Sequence, residues 1–123
     1  MPTADVIETL APGLLHTVLH GRVTVDVARR ILEAGNLIMA NGEQLCAFHD
    51  WEAVQSYEPE VRAILTDWGV ERRAQIDRVH ILLRSGLTRM GVSLAAMVLG
   101  RMLKPYRARD AFEAAMAEAI RAR

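Results

Sequence analysis

Three apolar segments of the sequence are each followed by polar or aromatic residues of the kinds that bind or protonate small molecules. Histidine and aspartate side chains can transfer protons, an indole ring can stack on a flat ligand, and a guanidinium group can hold an anion. The candidate site residues are His20, His49, Asp50, Trp51, Glu52, Arg84 and Ser85. In such a site His49 or Asp50 would act as the acid or base, and Arg84 would hold an anionic group.

The same residues also fit purely structural roles, and the sequence favours that interpretation. Trp51 would then cover the edge of the core, Asp50 would cap a turn, and Arg84 would pair with Glu52. The sequence lacks the common signatures of acyl transfer, nucleotide hydrolysis and dinucleotide binding, which are GxSxG, the P-loop and GxGxxG. We therefore expect no cofactor, and the absence of these signatures argues against an enzyme. Any catalysis would be cofactor-free acid–base chemistry by His49 or Asp50.

The four histidines do not form a metal-binding pattern. His16 and His20 share one face of a predicted strand but lie roughly 13 Å apart, which is too far for both to bind one ion. His80 lies inside the most apolar predicted strand, where we expect a hydrogen-bonded core histidine. The sequence contains neither HxH nor HExxH. We therefore predict no metal site.

The composition predicts a single domain, residues 1–123, that needs no disulfide or metal to fold. The chain carries 15 Lys and Arg against 15 Asp and Glu, and 51% of its residues are hydrophobic. Such a neutral chain lacks the positive charge that binds nucleic acids or anionic membranes. The longest apolar run, Leu94 to Leu99, is too short to span a bilayer, and Asp5 and Glu8 do not fit a signal peptide. We therefore expect a cytoplasmic protein, with Cys46 buried in its core.

Hydrophobic periodicity and turn signals predict alternating strands and helices. The expected strands are Ala4–Leu10, Leu14–His20, Gln44–Phe48, Val79–Leu83 and, at a sheet edge, Met102–Arg107. Helices are expected after the N-cap Thr24, from near Pro59, from Gly86 to Gly100, and from Asp110 onward. The order predicts an α/β fold, with a mixed β-sheet of about five strands that opens with a hairpin and packs with about four helices. The candidate residues would then lie at the carboxyl ends of parallel strands, where open α/β sheets bind ligands.

Four segments of the sequence resemble the SpoIIAA-like branch of the STAS domains, named for sulphate transporters and anti-sigma factor antagonists. They are LLHTVLHGRVT in the hairpin, FHDWEAV after the middle strand, the strand RVHILLRS, and YRARDAFEAAM at the last helix. The resemblance covers most of the chain. It implies a compact sandwich of βα units that acts by binding a partner protein or a small ligand rather than by catalysis.

Well-understood STAS domains are switched by phosphorylation of a serine in an Asp-Ser-Ser/Thr-Gly segment that begins the helix after the middle strand. That segment aligns with Ser56-Tyr57-Glu58-Pro59 of this chain. The accepting hydroxyl falls on Tyr57 or Glu58, and Pro59 replaces the glycine. We therefore expect Ser56 to cap the helix rather than to be phosphorylated, and Glu58 to place a fixed negative charge at the helix N-terminus.

These observations leave two hypotheses about function. In the first, which the resemblance favours, the chain is a non-catalytic regulatory or scaffold domain that binds a protein partner. In the second, it is a small-molecule-binding protein or cofactor-free enzyme, for instance of a biosynthetic pathway, with its site at the carboxyl ends of the parallel strands. In either case the exposed side of the sheet or a helix could also join two copies of the chain as a homodimer.

Overall fold

One five-stranded sheet forms the centre of the fold. The computed structural model describes residues 4–84 and 86–123, apart from the side chains of residues 87–90 and 94. The strands are β1 (Val6–Ala11), β2 (Leu14–Val23), β3 (Leu45–Tyr57), β4 (Ile76–Leu83) and β5 (Leu103–Tyr106). They lie side by side in chain order; β1 runs antiparallel to β2, and all other neighbours are parallel. The predicted mixed sheet is confirmed.

Helices connect the parallel strands and follow the last one. They are α1 (Val25–Ala40), α2 (Pro59–Glu71), α3 (Gly86–Leu99) and α4 (Arg109–Arg121). Short 3₁₀ turns precede β4 and β5. β5 contains Pro105 and lies at an edge of the sheet, as predicted, because proline has no N–H for a further ladder. The predicted order of strands and helices is therefore confirmed.

Local signals in the sequence set several of these boundaries. The β1–β2 hairpin turns at Gly13, whose φ of +78° suits glycine. Thr24 is the N-cap of α1, where its Oγ1 accepts a hydrogen bond from the Val27 N–H. Gly42, with φ +83°, follows the end of that helix. α2 begins at Pro59, whose missing N–H would have had no partner in a first helical turn.

The middle strand is longer than the sequence predicts. β3 continues to Tyr57 instead of ending at Phe48, and two bulges fit its second half against β2. β4 ends opposite Trp51, so the rest of β3 pairs with β2 alone. The prediction that His49, Asp50 and Trp51 follow the strand is therefore wrong, because the ladder with β2 continues through these polar residues. They lie within β3, at the level where β4 ends.

The helices are divided unequally between the two faces of the sheet. The three βαβ connections step across the sheet in the same direction, so right-handed crossovers place α1, α2 and α3 on one face. We call this the three-helix face; Leu15 and Ala47 belong to its core. α4 packs on the opposite, one-helix face, where its Phe112 joins Leu14 and Phe48 in a second core.

Candidate functional site

Consecutive residues of β3 point to opposite faces of the sheet, and this separates side chains that the sequence placed in one site. His49 pairs in register with Thr17 and Ile81 and lies on the three-helix face, as does Trp51. Asp50 lies on the one-helix face, where it meets α4. The candidate residues of β3 therefore belong to two separate environments.

On the one-helix face, Asp50 and Glu52 share a cation that the sequence analysis did not single out. The Arg109 guanidinium donates to Asp50 Oδ2 at 2.9 Å and to Glu52 Oε1 at 3.0 Å. These hydrogen bonds, to Glu52 first and then to Asp50, raise the pKa of Arg109. Because Asp50 is only 8% exposed, the pair compensates a buried charge. Glu52 thus pairs with Arg109 instead of the expected Arg84, which is exposed after the end of β4.

A stacked aromatic cluster fills the middle of the one-helix face. The Phe48 and His80 rings are parallel within 3°, with centroids 4.1 Å apart. A hydrogen bond of 2.8 Å joins His80 Nδ1 and Tyr106 Oη. Burial, together with the charges of Arg78 and Lys104, lowers the pKa of His80 to about 4. The ring is therefore neutral at neutral pH, and the predicted hydrogen-bonded core histidine is confirmed.

His20 lies in β2 rather than after it, because that strand continues to Val23. Its main-chain N–H donates to Asp5 Oδ1 at 3.0 Å, and its ring Nδ1 lies 3.4 Å from the same oxygen. The other strand-end candidate, Ser85, lies outside the described residues. Of the predicted site residues outside β3, Arg84 is exposed and His20 contacts Asp5, near the start of the described residues.

A cavity of about 100 Å³ lies on the three-helix face, between the sheet and helices α2 and α3. Its walls are almost entirely apolar and include Val61, Leu65, Val79, Val92, Leu99 and Leu103. His49 also lines the cavity, and a hydrogen bond of 2.7 Å joins its Nδ1 to Thr17 Oγ1. Burial, and secondarily the charges that His16 and His80 would carry, lowers the pKa of His49 to about 4. The cavity therefore contains a neutral imidazole at neutral pH.

Trp51 and Trp68 both line this cavity but differ in the state of their indole N–H groups. Trp68 Nε1 donates to Asn36 Oδ1 at 2.9 Å. Trp51 Nε1 is buried and has no hydrogen-bond partner in the part of the chain that the structure describes. Trp51 is 5% exposed and belongs to the core, in agreement with the structural role that the sequence favoured. The sequence does not predict this unpaired donor, because it depends on the tertiary packing around the indole.

The turn between β3 and α2 carries a carboxylate that faces the start of α1. The Val25 N–H donates to Glu58 Oε1 at 2.8 Å, and the Glu58 N–H donates to the Val23 carbonyl at 2.9 Å. Ser56 lies inside β3, opposite Arg22, so the prediction that it caps α2 is wrong. The N-cap of α2 is Glu58 itself, whose side chain makes no capping bond there. The predicted negative charge at a helix N-terminus is present, but it is hydrogen-bonded to α1.

The described residues contain neither a metal-binding cluster nor a membrane-spanning helix. No three of their His, Cys, Asp or Glu side chains are grouped so that they could hold a metal ion. None of their helices is both long and apolar enough to cross a membrane. Cys46 is free and buried, as predicted, and burial raises the pKa of its thiol.

Comparison with known proteins identifies the fold. No protein-family model matches the sequence, and no curated protein matches it. The anti-sigma factor antagonist SpoIIAA in its unphosphorylated form superposes with a TM-score of 0.71 at 14% identity, covering 94% of this chain and 97% of that one. SpoIIAA of Bacillus in its phosphorylated form, described as a cell fate determinant, gives a TM-score of 0.67 at 14% identity and covers 91% and 99% of the two chains.

A third solved structure extends the comparison beyond SpoIIAA itself. An uncharacterised protein from Shewanella loihica PV-4 with a SpoIIAA-like fold gives a TM-score of 0.60 at 15% identity and covers 90% of both chains. At these identities the likeness establishes the architecture. The chain therefore has the SpoIIAA-like fold of the STAS domains, as the resemblance of its sequence implied.

Proposed function

We propose that the chain is a non-catalytic regulatory or scaffold domain that acts in the cytoplasm by binding a protein partner. The proposal is supported by the extent of its likeness to SpoIIAA, which is described as an anti-sigma factor antagonist and is known in phosphorylated and unphosphorylated forms. The observation that carries it is Glu58 at the N-cap of α2; by the resemblance of the sequence, the phosphorylated serine of STAS domains aligns with Tyr57 or Glu58.

Glu58 has a negative charge at this turn without any modification. Its carboxylate accepts the hydrogen bond of the Val25 N–H, one of the amides that the first turn of α1 leaves unbonded. The positive end of the helix dipole favours a negative charge in this position. A hydroxyl gains a negative charge only when it is phosphorylated. A carboxylate provides a negative charge without that modification. The chain would accordingly bind its partner constitutively, with the charge of Glu58 as part of the contact.

The competing interpretation, an acid–base site that combines His49 with Asp50, receives less support from the geometry. The two side chains are on opposite faces of the sheet, and each is already paired, His49 with Thr17 and Asp50 with Arg109. A general acid and base must reach the same substrate, and these two groups have the sheet between them.

The test compares three versions of the chain: the wild type, Glu58→Gln and the control Glu60→Gln. Glutamine keeps an oxygen that can accept from the Val25 N–H, so Glu58→Gln removes the charge and retains the hydrogen bond. Glu60 is exposed in the first turn of α2 and provides a matched loss of charge two residues away. Each protein is immobilised, exposed to extract of the source cells, and analysed by quantitative mass spectrometry. The retained protein is then purified and titrated against all three.

We expect wild type and Glu60→Gln to retain the same protein with equal affinity, and Glu58→Gln to bind it at least about fivefold more weakly. Failure of the wild type to retain any protein reproducibly would overturn the proposal. Equal affinity of all three proteins would remove Glu58 from the contact. Sedimentation velocity of the wild type and of Glu58→Gln, each without any other protein, completes the test, since a stable dimer that depends on Glu58 would identify self-association instead of a foreign partner.

A further inference from the structure

An open cleft lies at the amino ends of the parallel strands, between the start of β4, the end of α3 and the 3₁₀ turn Gly100–Met102. We propose that this cleft binds a segment of a partner protein in which a large apolar side chain stands next to acidic residues. Glu58 follows the carboxyl end of β3, at the opposite end of the sheet. The two surfaces are therefore separate, and either proposal can fail without the other.

The apolar lining of the cleft continues onto the surface of α3. The cleft has a volume of about 370 Å³, and the core residues Ile76 and Met102 line it together with Leu99. Val98 also lines it and is 52% exposed, and the preceding residue, Met97, is 82% exposed. Apolar surface of this kind, with charged residues around it, is typical of protein-interaction sites, because a partner that covers it removes it from water.

The end of α2 extends this apolar surface. Gly69 lies so close to α3 that a Cβ there would be 3.1 Å from Leu99 Cδ2, so the ends of the two helices are in contact. The next residue of α2, Val70, is exposed. Val70, Met97 and Val98 are three of the six large hydrophobic residues that are exposed in the described part of the chain. Half of the exposed set thus lies at the ends of α2 and α3.

Two arginines give the cleft a positive charge. Arg73 and Arg101 line it, and neither forms an ion pair with a described carboxylate. Arg73 Nη2 donates to the Val98 carbonyl at 2.9 Å, which holds this guanidinium at the end of α3, and a guanidinium has further N–H donors for a ligand. Asp77 and Arg78 also line the cleft, but as neighbours of opposite charge they add no net charge. The cleft is thus cationic, although the net charge of the chain is zero.

The strand edge beside the cleft favours a peptide over a free small anion. β4 begins at Ile76 but pairs with β5 only from Val79 onward. The first three residues of β4 therefore have no β5 residue beside them, and they line the cleft instead. An extended peptide can form main-chain hydrogen bonds with such an edge while its side chains contact the surfaces on either side. Its acidic side chains would pair with Arg73 and Arg101, and its apolar side chain would cover Val98.

The first experiment selects peptides without assuming their sequence. Short random peptides displayed on phage are selected for binding to the immobilised wild-type chain, and the retained peptides are sequenced. We expect Asp and Glu to be enriched next to Leu, Ile, Phe or Trp. Enrichment of basic or uncharged peptides, or the absence of any enrichment, would overturn the proposal.

The second experiment locates the binding of the most enriched peptide by fluorescence anisotropy. The cleft variant is Arg73→Gln with Arg101→Gln, and the control is Arg29→Gln with Arg30→Gln, which removes two exposed charges from α1. We expect the control to match the wild type and the cleft variant to bind at least about tenfold more weakly. The affinity of the wild type should also fall as sodium chloride is added. Equal affinity of all three proteins would contradict binding in the cleft.

A third variant tests the apolar contact while both arginines stay in place. Val98→Ser changes a side chain that is largely exposed, so the fold should tolerate it, and Leu37→Ser on α1 is the matched control. We expect Val98→Ser to bind the peptide about threefold more weakly and Leu37→Ser to bind it as the wild type does. Unchanged binding by Val98→Ser would show that charge alone holds the peptide. Displacement of the peptide by an equal concentration of glutarate would identify a free small dicarboxylate as the ligand, and either result would overturn the proposal.

Discussion

The two faces of the sheet differ in how they accommodate buried polar groups. On the one-helix face, Asp50 is paired with Arg109, and His80 with Tyr106. On the three-helix face, His49 is paired with Thr17, but Trp51 Nε1 is a buried donor for which the described residues supply no partner. Among the described residues, the unpaired buried group thus lies on the face with more helices.

The two faces also differ in how closely their side chains pack. The single helix of the one-helix face fits its Phe112 edge-on against Phe48, with ring centroids 5.6 Å apart, and Phe48 stacks on His80. The three-helix face contains the apolar cavity beside Trp51. The number of helices on a face therefore does not measure how completely that face is packed. Close packing of the kind seen around Phe112 stabilises the fold, whereas the cavity leaves part of the three-helix face without such contacts.

The strongest test of this difference removes the main contact of the one-helix face. Phe112 is fully buried, and its ring meets both Phe48 and Tyr106 edge-on. We expect Phe112→Ala to lower the free energy of unfolding by about 3–5 kcal/mol, as for other buried phenylalanines. Urea denaturation measures the change. Ile120→Ala, at a 42% exposed position of the same helix, should cost less than about 1 kcal/mol. Equal losses for the two variants would mean that α4 does not depend on this aromatic contact.

Acid should destabilise the fold through one buried histidine on each face. The pKa of His49 falls from 6.5 to about 4 on folding, and that of His80 also falls to about 4. Between pH 6.5 and 4 the unfolded chain therefore binds protons that the folded chain does not, and stability decreases as the pH falls. His49 alone should contribute a loss of roughly 3 kcal/mol by pH 4.

The measurement is the free energy of unfolding in urea at several pH values across this window. In His49→Asn the amide approximates the position of Nδ1, so it can still bond to Thr17 but cannot titrate. We expect the slope of stability against pH to decrease in this variant and the remaining slope to include His80. An unchanged slope would show that His49 is protonated in the folded protein at these pH values.

The sequence predicts much of the fold because many boundaries depend on local chemistry. Gly13 at the hairpin, Thr24 at the start of α1 and Pro59 at the start of α2 each act within a few residues of themselves. The order of strands and helices follows from these signals and from hydrophobic periodicity. The far end of β3 depends instead on pairing with β2, which residues 49–57 do not reveal by themselves.

The candidate site was less predictable because its geometry depends on distant partners. Asp50 and Glu52 resemble loop residues in the sequence, yet they lie in a strand because β3 continues to pair with β2. Their charges are compensated by Arg109, 59 positions after Asp50. The separation of His49 from Asp50 follows from strand alternation, which applies only once β3 is known to continue past Phe48. The lack of a partner for Trp51 Nε1 among the described residues depends on tertiary packing and leaves no trace in the order of residues.

Among these predictions, loss of the Arg109 ion pairs should have the smallest effect on the free energy of unfolding. It also tests the most narrowly defined interaction. Arg109→Gln leaves the buried Asp50 carboxylate without its cation, and we expect a loss of about 1 kcal/mol in the free energy of unfolding, the lower end of the range for an unpaired buried group. The control is Arg121→Gln, at the other end of α4, where an exposed pair with Glu118 should contribute less than about 0.5 kcal/mol.

A second substitution shows whether the loss arises from the unpaired charge. In Asp50→Asn combined with Arg109→Gln no buried carboxylate remains, so the double variant should be more stable than the sum of the two single losses implies. A sum that is simply additive would mean that Asp50 is solvated well enough without Arg109. Asp50 would then be a buried polar group that is stable without a protein partner, like Trp51 Nε1 on the three-helix face. The two faces would then differ only in packing.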